Sequence, residues 1–158
     1  MKNIKEMNTK LDHPLAPLTV EEIQEAVAIL KSKKTLNDQV RFATVALNEP
    51  SKDVVMNFQE GDDFDRQVFF ILLDSSVQTT YEAVVSLATS SVIRFDEIPN
   101  VQPGIMLDEF LECEELVKNH SDFKEALAKR GIDNSDLIMV DPWSAGYFNI
   151  PENEGKRI

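Results

Sequence analysis

Few of the residue types that carry disulfide or metal chemistry occur in this sequence of 158 residues. Cys113 is the only cysteine, so no intrachain disulfide can form. His13 and His120 are the only histidines, and neither belongs to a chelating motif such as His-x-x-x-His. The sequence therefore predicts neither a disulfide-stabilised scaffold nor a histidine-based metal site.

Long apolar runs are also missing. No segment approaches the roughly 18 consecutive apolar residues of a membrane-spanning helix. Residues 1–11 alternate charged and polar side chains and lack the apolar core of a signal peptide, and we expect them to form a disordered lead-in. Together with the single cysteine, these features predict a cytoplasmic protein.

Basic residues are in the minority. The sequence has 16 Lys and Arg against 28 Asp and Glu, a formal net charge of −12. Nucleic acids and anionic membranes are both bound through clusters of Lys and Arg, so the charge argues against both as partners. The hydrophobic content of 42% is typical of a soluble globular protein.

The first part of the chain contains the pattern of one helix followed by four strands. Thr19 and Glu22 have the spacing of a helix-starting capping box. Apolar residues then recur at helical spacing, at Ile23, Ala26, Val27 and Leu30. Residues 50–58 are predicted to form a helical turn that begins at Pro50. Strand-like runs occupy 39–47, 67–73, 81–87 and 92–98, and the short links between the last three favour an antiparallel meander. Residues 12–99 are therefore predicted to form an α+β domain, a helix packed on a four-stranded antiparallel sheet.

The second part, residues 100–158, begins with a linker at 100–104 and continues with two helices. The first helix is predicted at about Leu107–Asn119, with an apolar stripe of Leu107, Phe110, Leu111 and Val117. The second is predicted to start at Ser121 and to end at Gly131, because glycine tolerates the positive φ of a helix C-terminus. Its inward side is predicted to be Phe123, Ala126 and Leu127. We expect this part to be the helical half of a truncated second domain, whose apolar stripes need a cover.

Several motifs in order give the chain a family resemblance. They are His13–Thr19 (HPLAPLT), 80–87 (TYEAVVSL), 127–132 (LAKRGI), 141–148 (DPWSAGYF) and 154–158 (EGKRI). Over nearly all its length the chain resembles the N-terminal region of copper amine oxidases. The resemblance implies two small cystatin-like domains, called N2 and N3, each a helix on a four-stranded sheet. Family members place glycine in two hairpin turns where this chain has Gln78 and Ser90-Ser91, so strained or altered turns are expected there.

The resemblance also implies which chemistry this chain lacks. Family enzymes oxidise primary amines with a copper ion held by three histidines, a topaquinone made from a tyrosine, and an aspartate base. Two histidines cannot supply three ligands. Tyr81 follows Thr80 where the quinone motif has asparagine, and we interpret it as a strand tyrosine. We therefore predict no catalytic, cofactor-binding or metal-binding residue in this chain, with copper and topaquinone belonging to the intact family enzyme.

Four aromatic residues are the remaining site candidates: Phe110, Trp143, Tyr147 and Phe148. In similar enzymes, residues matching Phe110 and Trp143 help to line the funnel through which amines reach the quinone. The cluster can instead be plain packing, since buried aromatic rings contribute large apolar areas. If exposed, it predicts a channel or partner surface.

Three functions remain open from the sequence. The first is a non-catalytic N2/N3 module that frames substrate access to the copper and topaquinone site of an intact enzyme. The second is a stand-alone binding or interaction protein on the same scaffold. The third is a subunit acting in trans with a separate catalytic chain. The expected partners are a catalytic amine oxidase domain, or a second copy bound through the truncated second domain.

Overall fold

A computed structural model of the protein describes residues 13–143 and 149–152. The chain divides into two compact units between Ile98 and Pro99. The first unit contains α1 (Val20–Lys33), β1 (Val40–Leu47), α2 (Lys52–Asn57), β2 (Gln67–Asp74), β3 (Thr79–Ser86) and β4 (Ser91–Ile98). The second contains α3 (Leu107–Asn119), α4 (Ser121–Ala128) and a 3-10 turn at Ser135–Leu137. The predicted α+β fold, a helix with a four-stranded antiparallel sheet followed by helices, is confirmed.

Helix α1 begins with the predicted capping box. The Glu22 backbone N–H donates to Thr19 Oγ1 at 3.2 Å, and the Thr19 backbone N–H donates to Glu22 Oε2 at 2.9 Å. The two bonds satisfy N–H groups that have no partner within the helix. Glu21 and Glu22 lie in the first turn and Lys31 and Lys33 in the last, where each sign of charge matches the helix dipole.

The four strands form an antiparallel meander in the order β1-β2-β3-β4. The register between β1 and β2 shifts between Phe42 and Thr44, and between β3 and β4 it shifts next to Val85. Loops 75–78 and 87–90 join the last three strands. Gln78 has φ 55° and Ser90 has φ 47° in these loops. Both loops thus hold a non-glycine residue in the left-handed region, as expected from the absence of glycine there.

The core of the first unit lies between α1 and one face of the sheet. Ala26, Ile29 and Leu30 from the helix are buried against sheet residues Val68, Phe70, Leu72, Ala83 and Val85. The predicted stripe is therefore right for Ala26 and Leu30 but incomplete. Ile23 and Val27 are only half-buried, and Ile29, which the sequence pattern did not assign, belongs to the buried core.

Helix α2 differs slightly from its prediction. It begins at Lys52, and its cap is Ser51, whose Oγ accepts from the Val54 backbone N–H at 3.4 Å. Pro50 therefore precedes the cap instead of starting the helix. A serine at this position is the better cap because its hydroxyl reaches a free backbone N–H, which a proline side chain cannot do.

The second unit has the two predicted helices. Helix α4 ends in a Schellman arrangement, in which the N–H of Gly131 donates to the carbonyl of Ala128 and the N–H of Ile132 to that of Leu127, both at 3.0 Å. Gly131 has φ 71°, which confirms its predicted role. Neither helix has a buried residue. Within 13–143 and 149–152, no helix is long and apolar enough to cross a membrane.

Candidate functional site

A buried arginine organises the start of the first unit. Arg66, 7% exposed, directs its guanidinium at the segment that contains the HPLAPLT motif. Its Nη1 donates to the carbonyls of Pro14 at 3.1 Å and Ala16 at 2.9 Å, and Nη2 donates to that of Pro17 at 3.2 Å. Nε and Nη2 donate to the two carboxylate oxygens of Glu22 at 2.9 and 3.1 Å. These five bonds match the five N–H donors of a guanidinium.

The Arg66 contacts explain the protonation state of Glu22. Burial of the carboxylate opposes ionisation, but hydrogen bonds from Arg66 and from the Thr19 backbone, with the positive charge of Arg66, outweigh that effect. The net result is a pKa for Glu22 below its usual value of 4.5. One carboxylate thus caps α1 and anchors Arg66, so this group of contacts is structural. Nothing local in the sequence singles out Arg66, which follows an acidic loop.

An acidic hollow lies beside the start of β2. Its volume is about 410 Å³, and its wall includes the carboxylates of Glu49, Asp63 and Asp65. Asp65 accepts from Ser86 Oγ at 2.7 Å and from Gln67 Nε2 at 2.8 Å. These bonds tie the acidic loop to the sheet, which gives Asp65 a structural role.

The second unit brings together two of the four predicted site residues. Phe110, from α3, and Trp143 line one hollow of about 240 Å³ together with Ile105, Asp141 and Pro142. Trp143 Nε1 donates to Asp141 Oδ2 at 2.9 Å. Phe110 is half-buried and Trp143 is 73% exposed, so these two rings do not form a closed packing cluster. Tyr147 and Phe148 lie outside the described residues.

Asp141 belongs to this hollow, although the sequence pattern favoured a simple turn before Pro142. An acid two residues before a tryptophan is the available signal, because that spacing lets the carboxylate reach the indole N–H. The bond orients both side chains, so the hollow has one fixed negative charge beside two aromatic rings. Such a combination can attract a cation through the charge and through the ring faces.

Each of the two histidines, one in each unit, accepts a hydrogen bond from a backbone N–H two residues later. His13 Nδ1 accepts from the Leu15 backbone N–H at 3.1 Å, and His120 Nδ1 accepts from the Asp122 backbone N–H at 3.3 Å. Among the described residues, no group of three or more His, Cys, Asp and Glu side chains is placed to hold a metal ion. His13 and His120 are two histidines, whereas the copper site of the family needs three.

Tyr81 is a strand residue. It lies in β3 and stacks on Phe95 of β4, with ring centroids 5.2 Å apart and planes inclined by 28°. It also packs against the buried core. The interpretation of Tyr81 as a sheet tyrosine is therefore confirmed.

Comparisons with protein families identify two domains. Residues 19–94 match the family described as "AGAO-like N2 domain", and residues 108–158 match the family described as "Copper amine oxidase, N3 domain". Together the two matches extend from α1 to the end of the chain.

Curated relatives agree with these matches. The chain is 42% identical over 149 residues to a primary amine oxidase of Arthrobacter sp. (strain P1), covering 94% of this chain and 22% of that protein. It is 31% identical to the peroxisomal diamine oxidase 1 of Nicotiana tabacum, covering 92% of this chain and 23% of that protein. The chain thus spans less than a quarter of the length of these relatives.

A solved structure has the same fold. The copper-containing benzylamine oxidase from Hansenula polymorpha superposes with a TM-score of 0.73 at 18% sequence identity. The superposition covers 92% of this chain and 23% of that one.

Proposed function

The chain belongs to the copper amine oxidase family by its N2 and N3 domains, and on that premise we propose that it is a non-catalytic module that frames amine access to a copper and topaquinone site. Such a site would be supplied by a catalytic domain of the same family. The observation that supports this role is the shared hollow of Phe110 and Trp143, the two residues that match funnel-lining positions in similar enzymes.

The chemical inventory of the chain supports a non-catalytic role. Both histidines accept backbone hydrogen bonds in turns, and Tyr81 is stacked within the sheet. We expect the purified chain, after copper loading, to release no hydrogen peroxide from primary amines. Sustained peroxide release from the chain alone would contradict this role.

The access role is testable in a chimera in which this chain replaces the equivalent region of the Arthrobacter primary amine oxidase. Phe110→Ala and Trp143→Ala should change KM for amines while leaving kcat nearly constant, because the residues line the approach and do not contact the reacting atoms. Leu116→Ala, which changes an exposed α3 side chain outside this hollow, is the control. Unchanged KM in both aromatic variants would refute the access role.

A second candidate, an interaction module, is favoured by the exposed apolar side chains of the second unit. Leu107 is 80% exposed, Leu111 66% and Trp143 73%. Leu107 and Leu111 lie four residues apart on one face of α3, and grouped exposed apolar side chains mark partner sites in soluble proteins. We propose that the second unit binds either a catalytic amine oxidase domain, within one chain or in trans, or a second copy of this chain.

Analytical ultracentrifugation tests whether the chain self-associates through its second unit. We expect the wild-type chain to self-associate and the double variant Phe110→Asp, Trp143→Ser to lose that association with the first unit still folded. If both proteins are monomers with identical melting curves, the aromatic residues have no partner role. Cofractionation of the wild-type chain with a separately expressed catalytic domain tests the trans arrangement.

A further inference from the structure

We propose that the segment 137–140 of the second unit binds an extended strand of a separate polypeptide, apolar in its middle and with Lys or Arg at both ends. The bound strand would add to an unpaired backbone edge through main-chain hydrogen bonds, the mode called β-strand addition. The inference deepens the second candidate function, the interaction module, and rests on it, because it names the kind of partner that the second unit takes.

The segment has the side-chain pattern of a half-buried strand. Ile138 has φ −106° and ψ 127°, in the β region. Leu137 is 80% exposed and Met139 79%, whereas Ile138 and Val140 are half-buried. Because successive side chains of a strand point to opposite sides, one side of the segment is partly covered and the other is bare.

The backbone of the segment lacks hydrogen-bond partners. The Ile138 N–H donates to the Ser135 carbonyl at 3.1 Å, which belongs to the preceding 3-10 turn. Within 13–143 and 149–152, the N–H and C=O groups of Met139 and Val140 bond to no protein group. Pro142 has no N–H, so the run of donors stops before it. Unpaired N–H and C=O groups on an exposed apolar strand are a template for pairing with another chain.

The charges at the ends of the segment determine the partner. Asp136 precedes the segment and Asp141 follows it, and both residues are exposed. If two copies paired antiparallel with 137 opposite 140, Asp136 of one copy would lie opposite Asp141 of the other, and directly opposed like charges are destabilising. A strand with Lys or Arg at both ends places opposite charges there, and the net charge of −12 also attracts it. The charges therefore favour a cationic strand over a second copy.

The two edges of the sheet in the first unit are less suited to strand addition. Both edge strands, β1 and β4, have a register shift against their neighbours. Strand β4 also carries Arg94, Asp96 and Glu97. Bulges and charged side chains on an edge strand oppose pairing with another chain. The segment 137–140 has no charged side chain between its two terminal acids.

A short peptide of the proposed partner chemistry tests the inference. The full chain is titrated at pH 7 and low salt with acetyl-Lys-Thr-Val-Thr-Val-Lys-amide, and amide hydrogen exchange is followed by NMR. We expect saturable binding and slower exchange of the Met139 or the Val140 N–H, whichever faces the bound strand, because a hydrogen-bonded amide is protected. A peptide with Glu in place of both Lys residues should bind at least about tenfold more weakly, and added salt should reduce this difference.

An N-methylated peptide separates strand pairing from other kinds of binding. Methyl groups on the four central amides keep the side chains and the charges but remove N–H donors from both edges of the peptide. The loss of two hydrogen bonds of about 1 kcal/mol each should weaken binding at least about tenfold.

Variants of the chain assign the binding to the segment. Leu137→Ser combined with Met139→Ser removes the exposed apolar side chains and should weaken peptide binding several-fold. Leu116→Ser, at an α3 leucine that is 73% exposed, is the matched control and should bind like wild type. Asp136→Asn combined with Asp141→Asn should remove most of the preference for the Lys-ended peptide. Far-UV circular dichroism checks that each variant is folded.

Equal binding of the Lys-ended and Glu-ended peptides would overturn the partner chemistry, and equal binding of the N-methylated peptide would overturn strand pairing. Absence of saturable binding would overturn both. Slow exchange of the Met139 and Val140 amides in the self-associated chain without peptide would identify a second copy as the occupant and refute the proposal. The interaction module is tested separately through Phe110 and Trp143, so the two proposals can fail independently.

Discussion

Replacing Arg66 by methionine should destabilise the first unit more than any exposed ion-pair substitution. Methionine keeps much of the aliphatic stem but removes all five donors. The carbonyls of Pro14, Ala16 and Pro17 then lose their donors, and Glu22 is left as a buried carboxylate without its cationic partner. Pro14 and Pro17 lack backbone N–H groups, so this segment cannot join the sheet by a regular ladder of hydrogen bonds.

The expected magnitude follows from burial. The side chains of Arg66 and Glu22 are 8% and 13% exposed. Removing one partner of such a buried pair costs about 3–5 kcal/mol, because the remaining charge stays in a poorly solvated place. Arg94 offers a matched control, since its bond to Glu82 is 3.0 Å long but the two side chains are 44% and 32% exposed. An exposed pair of this kind contributes about 0–1 kcal/mol.

A double-mutant cycle in urea separates the pair from its surroundings. The first cycle uses Arg66→Met with Glu22→Gln, and the control cycle uses Arg94→Met with Glu82→Gln. Far-UV circular dichroism follows unfolding, and Trp143 emission reports the second unit separately. We expect a coupling of at least about 2 kcal/mol for the first cycle and below about 0.5 kcal/mol for the second. Similar couplings in both cycles would refute a structural role for the Arg66 contacts.

Three further predictions concern the first unit. Because the pKa of Glu22 is lower in the folded chain than its usual 4.5, the stability it contributes is present above about pH 4.5 and is lost as pH falls through the folded pKa. The free energy of unfolding, measured in urea, should therefore fall less steeply in Glu22→Gln than in wild type as the pH is lowered below about 4.5. An equal pH dependence in the two proteins would contradict the assignment. Ser90→Gly should raise the free energy of unfolding by about 0.5–1 kcal/mol, since φ is 47° there. Ala88→Gly in the same loop should not stabilise, and equal effects would show that φ is not the cause. Leu30→Ala, at a fully buried position, should cost about 2–5 kcal/mol, and Ile23→Ala, at a half-buried one, should cost less; urea midpoints in the reverse order would contradict the observed core.

Local chemistry made the start of α1 and the turn that follows α4 predictable. The capping box of Thr19 and Glu22 and the glycine at 131 act within a few residues of themselves, so their sequence spacing determines their geometry. The antiparallel pairing of the last three strands was predictable for a similar reason, because the short loops 75–78 and 87–90 leave neighbouring strands few other ways to pair. The family resemblance led us to expect strained or altered turns at Gln78 and Ser90, where family members place glycine, and both residues have a positive φ.

Long-range contacts were not predictable in this way. Arg66 lies 44 residues from Glu22 and 52 from Pro14, and no periodic pattern joins such positions. The usable clue is physical: a proline-rich segment with few N–H groups leaves carbonyls that need side-chain donors. Asp141 escaped prediction for the opposite reason, since its partner Trp143 is so close that a simple turn explained the same residues.

The two main helices show what amphipathicity can and cannot predict. Both α1 and α3 carry an apolar stripe at helical spacing, yet Leu30 of α1 is fully buried while Leu107 and Leu111 of α3 are 80% and 66% exposed. An apolar stripe predicts which face of a helix is buried in a complete structure. It does not predict which other residues cover that face. Isolated helices of this length are marginal in water, so most of their stability comes from packing. The exposed Leu107 and Leu111 contribute little such packing to α3. We therefore propose that a partner covers this face of the second unit.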